Sequence, residues 1–357
     1  MKRGKYTILI LVITASIIVF LLLNLLLGSV SIPFASVWNI LTGGEGDPVA
    51  WQNIILKSRL PQALTALVAG AGLSISGLQM QTIFRNPLAG PSVLGISSGA
   101  SLGVAFVVLL SGQLGGVALS RLGFIGEVAL SIAAIAGALS VMGLIVLASR
   151  KVAGSVTLLI IGVMIGYIAN AVIGVLKFFS VEEDIKAYVI WGLGSFALPA
   201  AAGKDLRVSG NQMMLFVTIM AVIIPLSFLL IKPLNLLMLG DGYARNLGLN
   251  IHRARVWVIT CAGVLTAIVT AYCGPIIFLG LAVPHLCRAI FQTSDHRILM
   301  PTAMLVGASL ALLCNLIARL PGFEGALPVN SVTALVGAPV VASVLFGKRK
   351  RKDAVEF

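Results

Sequence analysis

Apolar runs about twenty residues long recur from one end of this 357-residue chain to the other. As a helix, each run is long enough to cross a hydrocarbon layer of about 30 Å. A single such run could be the buried helix of a water-soluble domain; a series of them could not. Composition agrees: 59% of residues are hydrophobic, 10% are charged, and the mean hydropathy is +1.06. So little charge cannot cover the surface of a soluble domain. In lipid the backbone must satisfy its own hydrogen bonds, which a helix does. The expectation is an all-α integral membrane protein of about ten transmembrane helices, in one domain over 1–357. The spans are placed at 8–28, 61–84, 92–110, 124–148, 157–176, 212–231, 256–273, 275–292, 299–318 and 328–347. Gly-Pro pairs make the third, seventh and eighth the shortest.

The charge map tests the count. Start on one side at Lys2, Arg3 and Lys5 and alternate. That side then collects Arg85, Arg150, Lys151, Lys232, Arg245, Arg253, Arg255, Arg288, Arg297 and the basic run 348–352, which makes 17 of the 25 Lys and Arg. The other side holds eight of each sign. The positive-inside rule makes the richer side cytoplasmic, so both termini are expected there. An odd number of spans would strand the basic tail outside. The net charge of +13 is thus explained by topology, without nucleic acid as a partner. The first run is longer than a signal peptide's and precedes no small-residue cleavage site, so it reads as a retained first helix. Cys261, Cys273, Cys287 and Cys314 lie inside apolar runs with no CxxC spacing and read as core residues; no metal site is expected.

Among the loops, 177–211 carries Glu182, Glu183, Asp184 and Trp191, which suits a short interfacial helix. The loop 232–255 has Asp241 as a helix start, Gly248 as a stop and Asn250 as a second cap. Two short cytoplasmic helices around a Gly-Leu-Asn turn are expected. Leu247, Leu249 and Ile251 are unusually apolar for a free loop, so the pair reads either as an amphipathic connector or as a knob for a cytoplasmic partner.

Gly95, Gly99 and Gly103 share one helix face, as do Gly162, Gly166, Asn170 and Gly174. Small residues four apart let helices approach closely in lipid. An amide facing lipid is costly, so the Asn170 face is also a candidate pathway lining. None of the 12 acidic residues falls in mid-span, where an ion-coupled carrier usually places them. His285, beside Pro284, is the clearest ionisable group within a span, and reads as a hydrogen-bonded structural histidine or, less simply, a relay. There is no GxxxxGK[ST] phosphate loop, and neither paired carboxylates nor HExxH. A membrane enzyme is disfavoured, and the energy for transport is expected to enter from elsewhere.

Four stretches carry a resemblance. They are Arg59-Leu60-Pro61-Gln62; Arg85-Asn86-Pro87 through Gly90-Pro91 and Leu94-Gly95; Leu239-Gly240-Asp241 through Ala244-Arg245 and Leu247-Gly248; and Gly274-Pro275 through Pro284-His285, Arg288 and Asp295-His296-Arg297, followed by Leu327-Pro328 and Gly337-Ala338-Pro339. In order and spacing, over about 50–347, they resemble the FecCD-type permeases of ATP-binding-cassette importers for ferric siderophores, haem and vitamin B12. The resemblance implies a permease that works as a pair of identical chains in a bacterial inner membrane. Two ATPase subunits would hold the ATP and Mg, and no cofactor would sit on this chain. Asp241, Ala244, Arg245, Leu247 and Gly248 would belong to the coupling helices. An extracytoplasmic binding protein would dock on Arg59 and Arg319; Gln62 stands where the family has a second arginine. Ser155, Val156 and Thr157 would form an inner gate, and the Gly162, Gly166, Asn170 face would line the path. A ferric siderophore is the first expectation for the cargo, with vitamin B12 or haem as alternatives. An ion-coupled secondary carrier is the alternative from another class.

Overall fold

The computed structural model describes residues 2–28, 30–44, 48–111, 124–152, 154–197, 207–320 and 327–353. They form fifteen α-helices and, among the described residues, no strand. The first is α1 (Lys2–Leu26), followed by α2 (Phe34–Leu41) and α3 (Val49–Ile54). A π-helical turn, Ile55–Arg59, joins α3 to α4 (Leu60–Phe84). Next come α5 (Ile96–Ser111), α6 (Phe124–Lys151), α7 (Ser155–Phe179), α8 (Glu182–Gly192), α9 (Arg207–Phe228), α10 (Ile231–Met238) and α11 (Asp241–Asn246). The last four are α12 (Ile251–Cys273), α13 (Phe278–Phe291), α14 (His296–Ala318) and α15 (Val329–Asp353).

Each of the ten expected spans coincides with a helix. Six stretches are long and apolar enough to cross a membrane: Gly4–Leu26, Val49–Phe84, Val128–Lys151, Val156–Phe179, Ile251–Cys273 and His296–Ala318. A seventh is α9 with α10, bent by 47°. Shorter apolar helices, Ile96–Leu110, Phe278–Phe291 and Val329–Ala342, complete the set. The expected interfacial helix is α8, with Glu182, Glu183 and Asp184 in its first turn, where the helix dipole favours acid.

Two expectations are corrected. The seventh span is not short: α12 runs 23 residues from Ile251. The Asn250 side chain accepts from the Arg253 backbone N–H at 3.0 Å, so the helix starts over a turn earlier than hydropathy suggests. For the same reason the second short helix expected after Asn250 is the start of α12, and the loop 232–255 holds α11 between most of α10 and the first turn of that spanning helix. Gly240 at φ 106° is the N-cap of α11, in place of Asp241, and Gly248 at φ 83° ends it.

The core is α4, buried without interruption from Ala69 to Phe84. It packs against α9, α12, α13 and α14. In lipid, apolar surface is not driven together as it is in water, so close packing and hydrogen bonds set the arrangement. A Cβ on Gly77 would lie 1.7 Å from the Gly280 carbonyl oxygen, so only glycine lets α4 and α13 meet. Between α5 and α6, a Cβ on Gly103 would lie 2.0 Å from the Ala133 carbonyl oxygen. Polar rungs add to this. Ser76 bonds Thr266 at 2.8 Å across α4 and α12, and Asn315 donates to Asn24 at 2.8 Å across α14 and α1.

The start of α1 and the end of α15 lie at one end of the bundle, called the termini end below. Tyr6 near the start of α1 packs on Phe291 at the end of α13, with ring centroids 5.9 Å apart. The Leu327 N–H bonds the Ala318 carbonyl at 2.8 Å, so α15 begins where α14 ends. It then runs back along α14, Val332 sharing an apolar cluster with Cys314 and Ala318.

Candidate functional site

At the termini end, α4 stops at Arg85, which takes a left-handed backbone at φ 47°. That conformation is costly for a residue with a Cβ and here aims a guanidinium. Arg85 donates to the Leu237 carbonyl at 3.1 Å and to Asp241 Oδ1 at 2.6 Å. Arg255, on α12, donates to Asp241 Oδ2 at 2.6 Å. The Asp241 carboxylate is therefore turned back onto its own chain, one arginine on each oxygen. Ala244 is buried beneath α11, whereas Tyr243 and Leu247 are 72% and 61% exposed, and Arg245 is exposed too. Leu249 and Ile251 pack on the core.

The turn after Arg85 is fixed by side chains. Asn86 Oδ1 accepts from the Leu88 N–H at 2.9 Å, and His285 Nε2 meets the Pro87 carbonyl at 2.6 Å. A carbonyl only accepts, so Nε2 carries a proton, and His285 is hydrogen-bonded to the turn. Nearby, Arg288 donates to Gln81 Oε1, and Gln81 donates to the Leu281 carbonyl at 3.1 Å. His296 Nδ1 bonds Asn235 Oδ1 at 2.7 Å, its Nε2 meets the Thr82 hydroxyl at 2.7 Å, and Asn235 donates to Asp295 Oδ1 at 2.7 Å. The Arg297 backbone N–H, above all, holds the Asp295 carboxyl below the ordinary carboxylate range. The Asn235 amide and the neighbouring positive side chains pull the same way. Sequence reading gave no role to Gln81 or Asn235. The available signal was an amide inside an otherwise apolar helix face, which is costly in lipid without a partner.

At the opposite end, Arg59 is 1% exposed. Its guanidinium donates to the carbonyls of Leu25 at 2.6 Å, Leu26 at 2.9 Å, and Val30. Leu25 and Leu26 are in the last turn of α1, whose carbonyls lack helical partners; Leu26 also accepts from the Ile32 N–H at 3.3 Å, and Val30 lies in the loop beyond. Arg319 is half-buried at the end of α14. Burial and the positive charge of Arg59 push its pKa down to about 10. The two arginines expected to dock a partner thus lie together, but Arg59 is not open to solvent in this conformation. Gly274 has φ 71°, and a Cβ there would lie 2.6 Å from the Trp191 carbonyl oxygen. Asn330, also missed, ties this break together. It donates to the Pro275 carbonyl, accepts from the Ile277 N–H at 3.3 Å, and bonds the Leu193 carbonyl through its own N–H at 3.3 Å.

The expected pathway stripe on α7 is divided. Gly162 and Gly166 are buried against the Leu94–Gly95 turn ahead of α5: a Cβ on Gly162 would lie 2.9 Å from Leu94 Cδ2. Asn170, one turn further, is exposed, on a face shared with Tyr167, which is 65% exposed. Ser155 is the first residue of α7, after the Gly154 N-cap; Val156 and Thr157 beside it are exposed.

A bundle of spanning helices with one short helix propped on an ion pair at the termini end is the build of a multi-pass membrane permease. The FecCD transport family model matches residues 16–347, and the chain belongs to that family. It is 34% identical over 339 residues to the vitamin B12 import system permease protein BtuC of Klebsiella pneumoniae, covering 95% of this chain and 93% of that one. It is 33% identical over 331 residues to the hemin transport system permease protein HmuU of Yersinia pestis, covering 92% of each. A solved inward-facing conformation of a metal-chelate type ABC transporter superposes with a TM-score of 0.77 at 28% identity, covering 96% of this chain and 99% of that one.

Proposed function

We propose that this chain is the membrane-spanning subunit of an ATP-binding-cassette importer for a metal chelate. It would take the chelate from an extracytoplasmic binding protein and pass it through a bacterial inner membrane. The observation that carries the reading is α11: a short helix tied to the bundle through Asp241, with Tyr243, Arg245 and Leu247 exposed, on a chain with no phosphate-binding loop of its own. Its mounting suits a cleft on a cytoplasmic ATPase, two copies of which would supply the ATP and Mg. The excess of Lys and Arg at the termini end supports a cytoplasmic location for both termini.

A second copy of the chain would pack across the bare side of α7, where Met164, Tyr167, Ile168 and Val175 are exposed, and lipid would surround the rest. Ser155, Val156 and Thr157 then lie at the inner mouth of that seam. Docking by Arg59 and Arg319 belongs to the same reading, since both lie at the outer end in this orientation. Arg59 would have to release its carbonyls to take part. Relatives named for vitamin B12 and for hemin support a bulky chelate; a ferric siderophore remains the alternative that the sequence put first.

The test is association. A Walker-motif ATPase encoded with this chain should co-purify with it, and Leu247→Asp or Arg245→Asp should abolish the complex. Complexes that remain intact and ATP-coupled in both variants would remove α11 from the docking role.

A further inference from the structure

Asp241 lies in the segment proposed above to meet an ATPase, yet both of its carboxylate oxygens are engaged within the chain. Arg85 holds one at 2.6 Å and Arg255 the other at 2.6 Å. Through Arg85 the same contact reaches the last turn of α10 at the Leu237 carbonyl, 3.1 Å away. The ends of α4 and α10 and the starts of α11 and α12 therefore meet at one carboxylate.

The position matters because α11 is otherwise lightly attached. It packs on α10 and α12, its neighbours along the chain. Its link to α4 spans 156 residues of sequence and is made by the Arg85–Asp241 pair. The far side of that link, α4, is the buried core helix on which α9, α12, α13 and α14 all pack. Arg85 also keeps a left-handed backbone, φ 47°, that a simple helix end would assign to glycine. A carboxylate gripped from both sides by guanidinium groups is short and directional, which suits the transmission of displacement.

We infer that Asp241 is a positioning residue, a two-armed joint that makes α11 and the end of α4 move as one body. Force applied to α11 then enters the core of the bundle through Arg85 and the first turns of α12 through Arg255. This rests on the proposed partnership with an ATPase. It adds that Asp241 serves the permease side of the contact, whereas Tyr243, Arg245 and Leu247 serve the partner side. The pair is partly exposed, with Arg85 and Asp241 side chains 48% and 40% accessible, so its loss should leave the fold in place.

The experiment uses the full complex with its ATPase subunits in lipid nanodiscs. Spin labels go on Leu88→Cys and Asn246→Cys, both exposed positions, in a Cys261→Ser background. The distance between the labels is compared without nucleotide and after trapping with ATP and vanadate. With Asp241, and with the Asp241→Glu variant, the distance should be the same in both states. In Asp241→Asn, and independently in Arg85→Gln, trapping should shift or broaden it. An unchanged distance in both of those variants, or a shift already present with Asp241 intact, overturns the joint. If the unsubstituted chain neither binds the ATPase nor traps vanadate, the proposed function itself is what fails.

Discussion

The two ends of the bundle are held by different chemistry. At the termini end, beside carbonyl contacts from Arg85, Gln81 and His285, the ties that cross long stretches of sequence join side chain to side chain: Asp241 between Arg85 and Arg255, Arg288 on Gln81, and His296 between Thr82 and Asn235. At the opposite end the acceptors are backbone carbonyls. Arg59 holds those of Leu25, Leu26 and Val30, and Asn330 holds those of Pro275 and Leu193. Ion pairs with exposed members contribute about 0–1 kcal/mol each, whereas a buried carbonyl stripped of its donor costs about 1–3 kcal/mol. The carbonyl-based end should therefore govern stability, and the charged end should govern how the bundle answers to a partner.

That contrast can be broken most directly at Gly274. Gly274→Ala combines a glycine-only backbone with a Cβ 2.6 Å from the Trp191 carbonyl oxygen. It should destabilise by about 2–4 kcal/mol, read as a large loss of thermal stability in purified protein. Arg59→Met should come next, at about 1–3 kcal/mol, because the carbonyls at the end of α1 lose their donor. Retention of full thermal stability in Arg59→Met would show that the cap is not what fixes α1. Smallest in stability is Asp241→Asn, within about 1 kcal/mol, although its effect on the movement of α11 is the largest expected at that end. A melting temperature for Asp241→Asn as low as that of Gly274→Ala would erase the distinction between the ends.

The spans were legible where apolar residues run unbroken, as in α1, α6 and α14, because length and hydropathy alone decide there. They were less legible where Gly-Pro pairs intervene. Gly90-Pro91 and Gly274-Pro275 give several residues to turns, leaving α5 and α13 only 16 and 14 residues long. The start of α12 was misplaced because a cap, Asn250, decided it, and the residues after the cap are basic. The site was legible as motifs and not as geometry. Asp241, Arg85 and His285 stood out, but the sequence offered no way to see that the first two face each other across 156 residues. Arg59 was expected at the surface, as most arginines are; its acceptors belong to a helix end 34 and 33 residues earlier, and only folding brings them together. The stripe on α7 is divided because a turn outside any helix, Leu94–Gly95, occupies the space beside Gly162 and Gly166, while Asn170 stays exposed.

The central claim is that the energy for transport comes from outside this chain. Vesicles should be reconstituted with the purified chain, with and without its ATPase subunits, and supplied with ATP, the binding protein and labelled cyanocobalamin, haemin or a ferric siderophore. Uptake against a gradient should occur only with the ATPase and hydrolysable ATP present. Uptake by the chain alone, driven by an ion gradient, would contradict the account.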